Sequence, residues 1–174
     1  MDIKKLCNSI LIFITKRLIE ISGIIIGILG VLLFLALISH SPEDPNFIFP
    51  ENTEINNLLG FQGSYVSDLF FQSFGQIAYL IPITYLFTGI NIFRKKEIFL
   101  FIENTFFIVI YTLIGSIFFS YFYKDTLTFY INGNGGFIGN YFNQIFLKYL
   151  NSSYETSLYY IFIFFIIVIF LISI

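Results

Sequence analysis

Leu18-Ile-Glu-Ile-Ser-Gly-Ile-Ile-Ile-Gly-Ile-Leu-Gly-Val-Leu-Leu-Phe-Leu-Ala-Leu-Ile-Ser39, followed by His40-Ser-Pro-Glu-Asp-Pro-Asn46, decides how this chain folds. As a helix the 22 residues from Leu18 to Ser39 reach about 33 Å, enough to cross a hydrocarbon core of about 30 Å. The run is a membrane span. Its end is equally informative, because two prolines and two adjacent carboxylates cannot continue a helix in lipid. Composition extends the reading to the whole chain. Hydrophobic residues make up 57% and charged residues 11%, against roughly 25% charge in a soluble domain. The fold class is therefore an all-α membrane protein.

Before the span, residues 1–17 place Lys4 and Lys5 ahead of an apolar stretch and Lys16 and Arg17 behind it. Leu6, Cys7, Ile10, Leu11, Phe13 and Ile14 share one side of a helical wheel, which reads as a basic amphipathic helix lying on a membrane face. A secretory signal peptide fits less well, since Lys16 and Arg17 interrupt the apolar run and no small-residue cleavage site follows. After it come three further spans, about 74–93, 98–121 and 156–174, so that 18–174 forms one four-span domain. Gly23, Gly27 and Gly30 fall on one face of the first span, where a neighbouring helix can approach closely. Pro82 near the middle of the second predicts a kink, with Thr84 and Thr88 satisfying freed backbone groups.

Lys and Arg set the orientation. Four precede the first span, three (Arg94, Lys95, Lys96) lie between the second and third, and none lies between the first and second. Both termini are expected in the cytoplasm, with two longer loops outside. Each loop carries a helical pattern. Leu58, Phe61, Tyr65 and Leu69 recur at helical spacing in the first, in a helix that can run into the second span. In the second, Ile138, Tyr141, Phe142, Ile145, Phe146 and Tyr149 line one face, with Asn140, Asn143, Gln144 and Asn151 on the other.

Chemistry is sparse. No P-loop, His-Glu-x-x-His helix or Gly-x-Ser-x-Gly elbow occurs, so no catalytic residue is assigned and the chain is not read as an enzyme. One cysteine and one histidine are too few for a metal site built from them, and neither a metal nor a cofactor is expected. Glu20 reads as a solvated carboxylate at the membrane boundary, and Glu103 as another, or as a partner of Lys95 or Lys96. His40 reads as a polar boundary residue.

The order of motifs carries a resemblance. Ser41, Pro42, Asp44 and Pro45 follow the first span, Asn57-Leu-Leu-Gly-Phe-Gln-Gly-Ser-Tyr65 brings Gly60 and Gly63, Phe74-Gly75 leads to a span with Pro82, and Gly135-Gly-Phe-Ile-Gly139 brings Gly136 and Gly139. This arrangement resembles the N-terminal four-span membrane domain of the bacterial FtsK/SpoIIIE DNA translocases. The resemblance implies a multi-pass anchor in the inner membrane at the division septum, cytoplasmic at both ends, linking division to chromosome segregation. Its implied partners are the lipid bilayer, further copies of itself and septal membrane proteins. No nucleic-acid contact by this chain is implied, because the family's ATPase motor lies C-terminal to the region. A small channel or carrier subunit is the alternative.

The two loops also match each other at an offset of 76 residues, where Gly60 to Phe70 and Gly136 to Phe146 share five of eleven residues. A tandem duplication of a span, loop helix and span would place the first span over the third and the second over the fourth.

Overall fold

The computed structural model describes residues 3–45, 54–123, 131–146 and 155–174. Six α-helices account for most of these residues: α1 (Ile3–Ile38), α2 (Gly60–Phe74), α3 (Leu80–Lys95), α4 (Phe99–Phe122), α5 (Gly136–Phe146) and α6 (Glu155–Ile172). Three stretches, α1, the unit of α2 and α3, and α4, are long and apolar enough to cross a membrane. Over the expected fourth span lies α6, a shorter apolar helix of 18 residues. Asn46, Lys124, Lys148, Tyr149 and Asn151 lie outside the described residues.

α1 is one uninterrupted helix of 36 residues, about 54 Å long. The amphipathic N-terminal segment and the first span are continuous, and no break marks the boundary expected at Arg17. The local reason is the absence of any helix breaker before Gly23. Thr15 and Ser22 turn their hydroxyls back on the Leu11 and Ile19 carbonyls, at 2.9 and 2.7 Å, and so do not compete with the helix.

The second span departs from expectation. Gly75, at φ +70°, ends α2, and a 3-10 helix over Gly75–Tyr79 leads into α3. Pro82 then occupies the first turn of α3 rather than mid-span. There its missing N–H forfeits no helical bond, since the first four donors have no intrahelical acceptor. The predicted kink at Pro82 is thus replaced by a break a few residues earlier. α3 closes on Lys96, which takes the left-handed conformation (φ 61°) while its N–H reaches the Ile92 carbonyl at 2.8 Å.

α1 runs antiparallel along α3, α4 packs on α3, and α6 packs on α4. We call the end of the molecule where α1 and α4 finish the loop end, and the end at Lys96 the turn end. At the loop end α2 and α5 contact each other, α2 also packs on α1, and α5 packs on α4. Buried Leu37, Phe71, Ile77, Ile81 and Tyr111 form the centre of the apolar core.

Both loop helices turn inside out relative to a soluble amphipathic helix. α2 buries Gly63, Ser64, Ser67, Asp68 and Phe71 and exposes Leu58 just before it, then Phe61 and Leu69. In α5 Asn140 and Asn143 bond to Ser120 at the end of α4, while Phe137, Tyr141 and Ile145 face outward. Polar side chains pair within the protein because hydrocarbon offers them nothing, and apolar ones are free to face lipid.

The tandem duplication does not hold, although the two loop helices start alike. Gly60 and Gly136 both open a helix, at φ +65° and +64°, and each N–H bonds the carbonyl three residues back, at 2.9 and 3.1 Å. Ser64 bonds the Pro45 carbonyl and Ser67 the His40 ring in the chain that follows α1, whereas the equivalent Asn140 and Asn143 bond Ser120 near the end of α4. The second spans do not correspond. Gly30 lies against Leu86, so a faithful repeat would set Phe162 against Phe106. Instead the Phe162 ring meets Phe118 and Phe122, each at 6.4 Å between centroids. A slide of 12 to 16 residues along α4 is about 18–24 Å. The likeness is therefore confined to the loop helices.

Candidate functional site

The chain's functional parts are its contacts between helices, and four groups of residues make them. The first is the glycine seam. A methyl group built on Gly23 would lie 2.8 Å from the Gly89 carbonyl oxygen, and one on Gly30 would lie 2.9 Å from the Leu86 nitrogen. One built on Gly89 would lie 2.5 Å from both the Gly23 oxygen and the Gly27 nitrogen. Backbone touches backbone here, within one chain, as small-residue helix contacts in membranes do. Gly27 differs from the other two, because its own Cβ direction opens onto empty space. Gly89 did not stand out in the sequence; its one signal is that it is the sole glycine of α3.

The second group lies buried between α3, α4 and α6. Thr84 Oγ1 sits 3.1 Å from Tyr111 Oη and 3.2 Å from Ser173 Oγ. Asn104 donates to Thr88 Oγ1 at 2.8 Å, and Thr88 donates to the Thr84 carbonyl at 2.8 Å. Among the described residues no buried side-chain polar atom lacks a partner. The network is closed and serves to fix three helices. Asn104→Leu should remove the bond that ties α4 to Thr88, whose own hydroxyl keeps the Thr84 carbonyl, and cost about 1 kcal/mol, read as a fall in the denaturant midpoint of the detergent-solubilised chain.

The loop end holds the third group. Buried Asp44 accepts the N–H groups of Asn56 and Asn57 at 2.8 and 2.9 Å. Asn57 donates its amide to the Ala36 and Ser39 carbonyls at 2.9 and 3.2 Å, satisfying acceptors that the end of α1 leaves open. Ser64 donates to the Pro45 carbonyl at 2.9 Å, and the Ser41 carbonyl accepts the Asp44 N–H at 3.2 Å. Pro42 is exposed. Gly63 packs against Asn57 and Leu59, and Gly139 against Ser116 and Ser120, leaving no room for a side chain at either. The motif after the first span thus folds as a clasp that returns the chain to the C-terminal end of α1. A matching clasp joins the halves. Asn132 bonds Gln72, Gln76 N–H bonds the Asn134 carbonyl at 2.9 Å, and Asn134 donates to the Tyr123 carbonyl at 2.6 Å.

His40 belongs to this end. Its Nδ1 lies 3.0 Å from Ser67 Oγ and its ring 4.9 Å from that of Phe71. Burial holds its pKa below 6.5, against the pull of Asp68 and Asp44 in the other direction. The folded state therefore favours neutral imidazole, and the stability this confers is present above the unfolded value and lost as pH falls through the folded one. Protease cutting near residues 54–59 should rise on acidification from about pH 7.5 to about pH 5, and His40→Gln should flatten the profile.

At the turn end Glu20 is buried and bridges Arg17 and Lys96, its Oε1 2.9 Å from Lys96 Nζ. This corrects the solvated reading of Glu20: the carboxylate ties α1 to the turn between α3 and α4. Lys96 is thereby engaged away from Glu103, which is exposed. Cys7 is an exposed free thiol, and the described residues contain no cluster of ligands for a metal.

A seam without side chains, a closed polar network inside the bilayer and clasped loops define a helical membrane domain built to hold its spans together. Residues 15–174 match the family model described as the 4TM region of DNA translocase FtsK/SpoIIIE. The chain belongs to that family. It is 30% identical over 147 residues to a DNA translocase FtsK of Rickettsia typhi, covering 83% of this chain and 19% of the relative. The one of Shewanella oneidensis is 30% identical over 149 residues, covering 82% and 16%. That of Rickettsia bellii reaches 36% over 77 residues, covering 44% and 10%. The chain thus spans a fifth or less of the relatives it matches. No solved structure matches.

Proposed function

We propose that the chain is the membrane anchor of a DNA translocase, placing it at the division septum of the inner membrane and linking division to chromosome segregation. The family match over residues 15–174 carries the reading. Nucleotide hydrolysis and DNA contact belong to the rest of such a protein, since four-fifths or more of the relatives' length lies outside the matched part. Basic residues favour cytoplasmic termini: Lys4, Lys5, Lys16, Arg17 and the Arg94 to Lys96 run share one side of the membrane. Copies of the chain and other septal membrane proteins are the proposed partners. The channel or carrier alternative draws no support from the geometry, because among the described residues the buried polar groups satisfy one another and the cavity between α1 and α2 is lined mostly by apolar side chains.

A fluorescent protein fused in frame after Ile174 should gather at mid-cell in dividing bacteria, and uniform membrane fluorescence would overturn the septal assignment. Orientation is checked separately. In a Cys7→Ser background, an impermeant thiol reagent should label Glu54→Cys from outside the cell and Lys95→Cys only after the membrane is opened. Labelling of both from outside would reverse it.

A further inference from the structure

We propose that a groove between α1 and α2 binds one acyl chain of a membrane phospholipid. The groove has a volume of about 700 Å³, within the range of about 300–1,000 Å³ typical of small-molecule sites. Leu29 and Leu33 of α1 form one wall and Val66 and Phe70 of α2 another, with Tyr85 and Phe101 at the deep end. Leu59, just before α2, and Val66 and Phe70 within it recur at helical spacing, so apolar side chains line the space without filling it.

Two observations select the occupant. The groove follows α1 from Ile26 to Ala36, about 15 Å, which is half of a hydrocarbon core of about 30 Å. α2 covers its loop end. A partner's transmembrane helix needs a path through both leaflets, whereas an acyl chain belongs to one. The second is continuity with the lipid-facing surface, since Ile25 and Ile28 beside the groove and Leu32 on its wall are exposed apolar side chains in a helix long and apolar enough to cross the bilayer. Gln62, at the loop end, is the amide among the lining side chains. Asn57 is tied to the end of α1 at Ala36 and Ser39, which sets the first turn of α2, and Gln62 with it, at the level of a lipid's ester groups.

The chain contains no tryptophan, so one introduced reporter can be read alone. The whole chain is placed in bilayers of phosphatidylcholine with increasing fractions of a lipid brominated in mid-acyl chain. Phe70→Trp and Tyr85→Trp report from the groove, and Ile28→Trp from the lipid-facing surface. Both groove reporters should be quenched, and should lose most of that quenching when Leu29→Phe and Val66→Phe fill the space, while Ile28→Trp with the same fillings keeps its quenching and shows that the protein remains inserted. Groove reporters that are never quenched, or that stay quenched in the filled variant, overturn the proposal. So does quenching that disappears as protein is concentrated in the bilayer, because a second copy would then occupy the groove.

Discussion

Gly89→Leu is expected to abolish accumulation of the chain in the membrane, while Gly27→Leu is tolerated. Even the first carbon added at Gly89 lands 2.5 Å from two backbone atoms of α1, and backbone cannot turn aside as a long side chain can. Overpacking of a tight contact costs about 1–3 kcal/mol, and a leucine branch adds atoms where none fit. At Gly27 the same addition meets nothing within 4 Å, and replacing a helical glycine gains about 0.5–1 kcal/mol. Steady-state abundance by immunoblot and resistance to added protease check both. Equal loss at the two positions would show that the seam is not where the helices meet.

Asp44→Ala should open the loop end. It removes a buried carboxylate that holds two backbone donors, and charge-assisted bonds of this kind are worth about 1.5–3 kcal/mol each. Asn57 then loses the anchor that aims its amide at the Ala36 and Ser39 carbonyls, so several bonds fail together. Asp44→Asn keeps one acceptor and should fall between the two. Thiol labelling of Ile55→Cys in a Cys7→Ser background measures the opening. Unchanged labelling in Asp44→Ala would mean that the clasp stands without its carboxylate.

The spans were legible because lipid imposes one requirement, length and apolarity, that any run of residues either meets or fails. The same solvent decides which side of a loop helix turns inward. A stripe such as Leu58, Phe61 and Leu69 marks the buried side of a helix only when water lies on the other side; beside lipid, Ser64, Ser67 and Asp68 are the residues that turn inward. Gly23, Gly27 and Gly30 were visible as a face, but the seam's tightest member, Gly89, has no glycine companion on its own helix and makes no pattern. Pro82 announced a break whose place was set instead by Gly75, where φ is positive. Glu20 looked solvated because its partner Lys96 is remote in sequence.

The length of α1 has a mechanical consequence. Gly23 and Gly30 set its backbone against that of α3 over a bearing about 10 Å long, while the helix extends about 30 Å beyond it to Ile3. Such a helix is a lever with its fulcrum near one end. A sideways load applied at the tip reaches the bearing multiplied about threefold. The strut from Glu20 to Lys96 stands just beside the fulcrum, on the side of the long arm, where a brace resists rotation about it. Any pull on the N-terminal arm is thereby passed to the turn between α3 and α4.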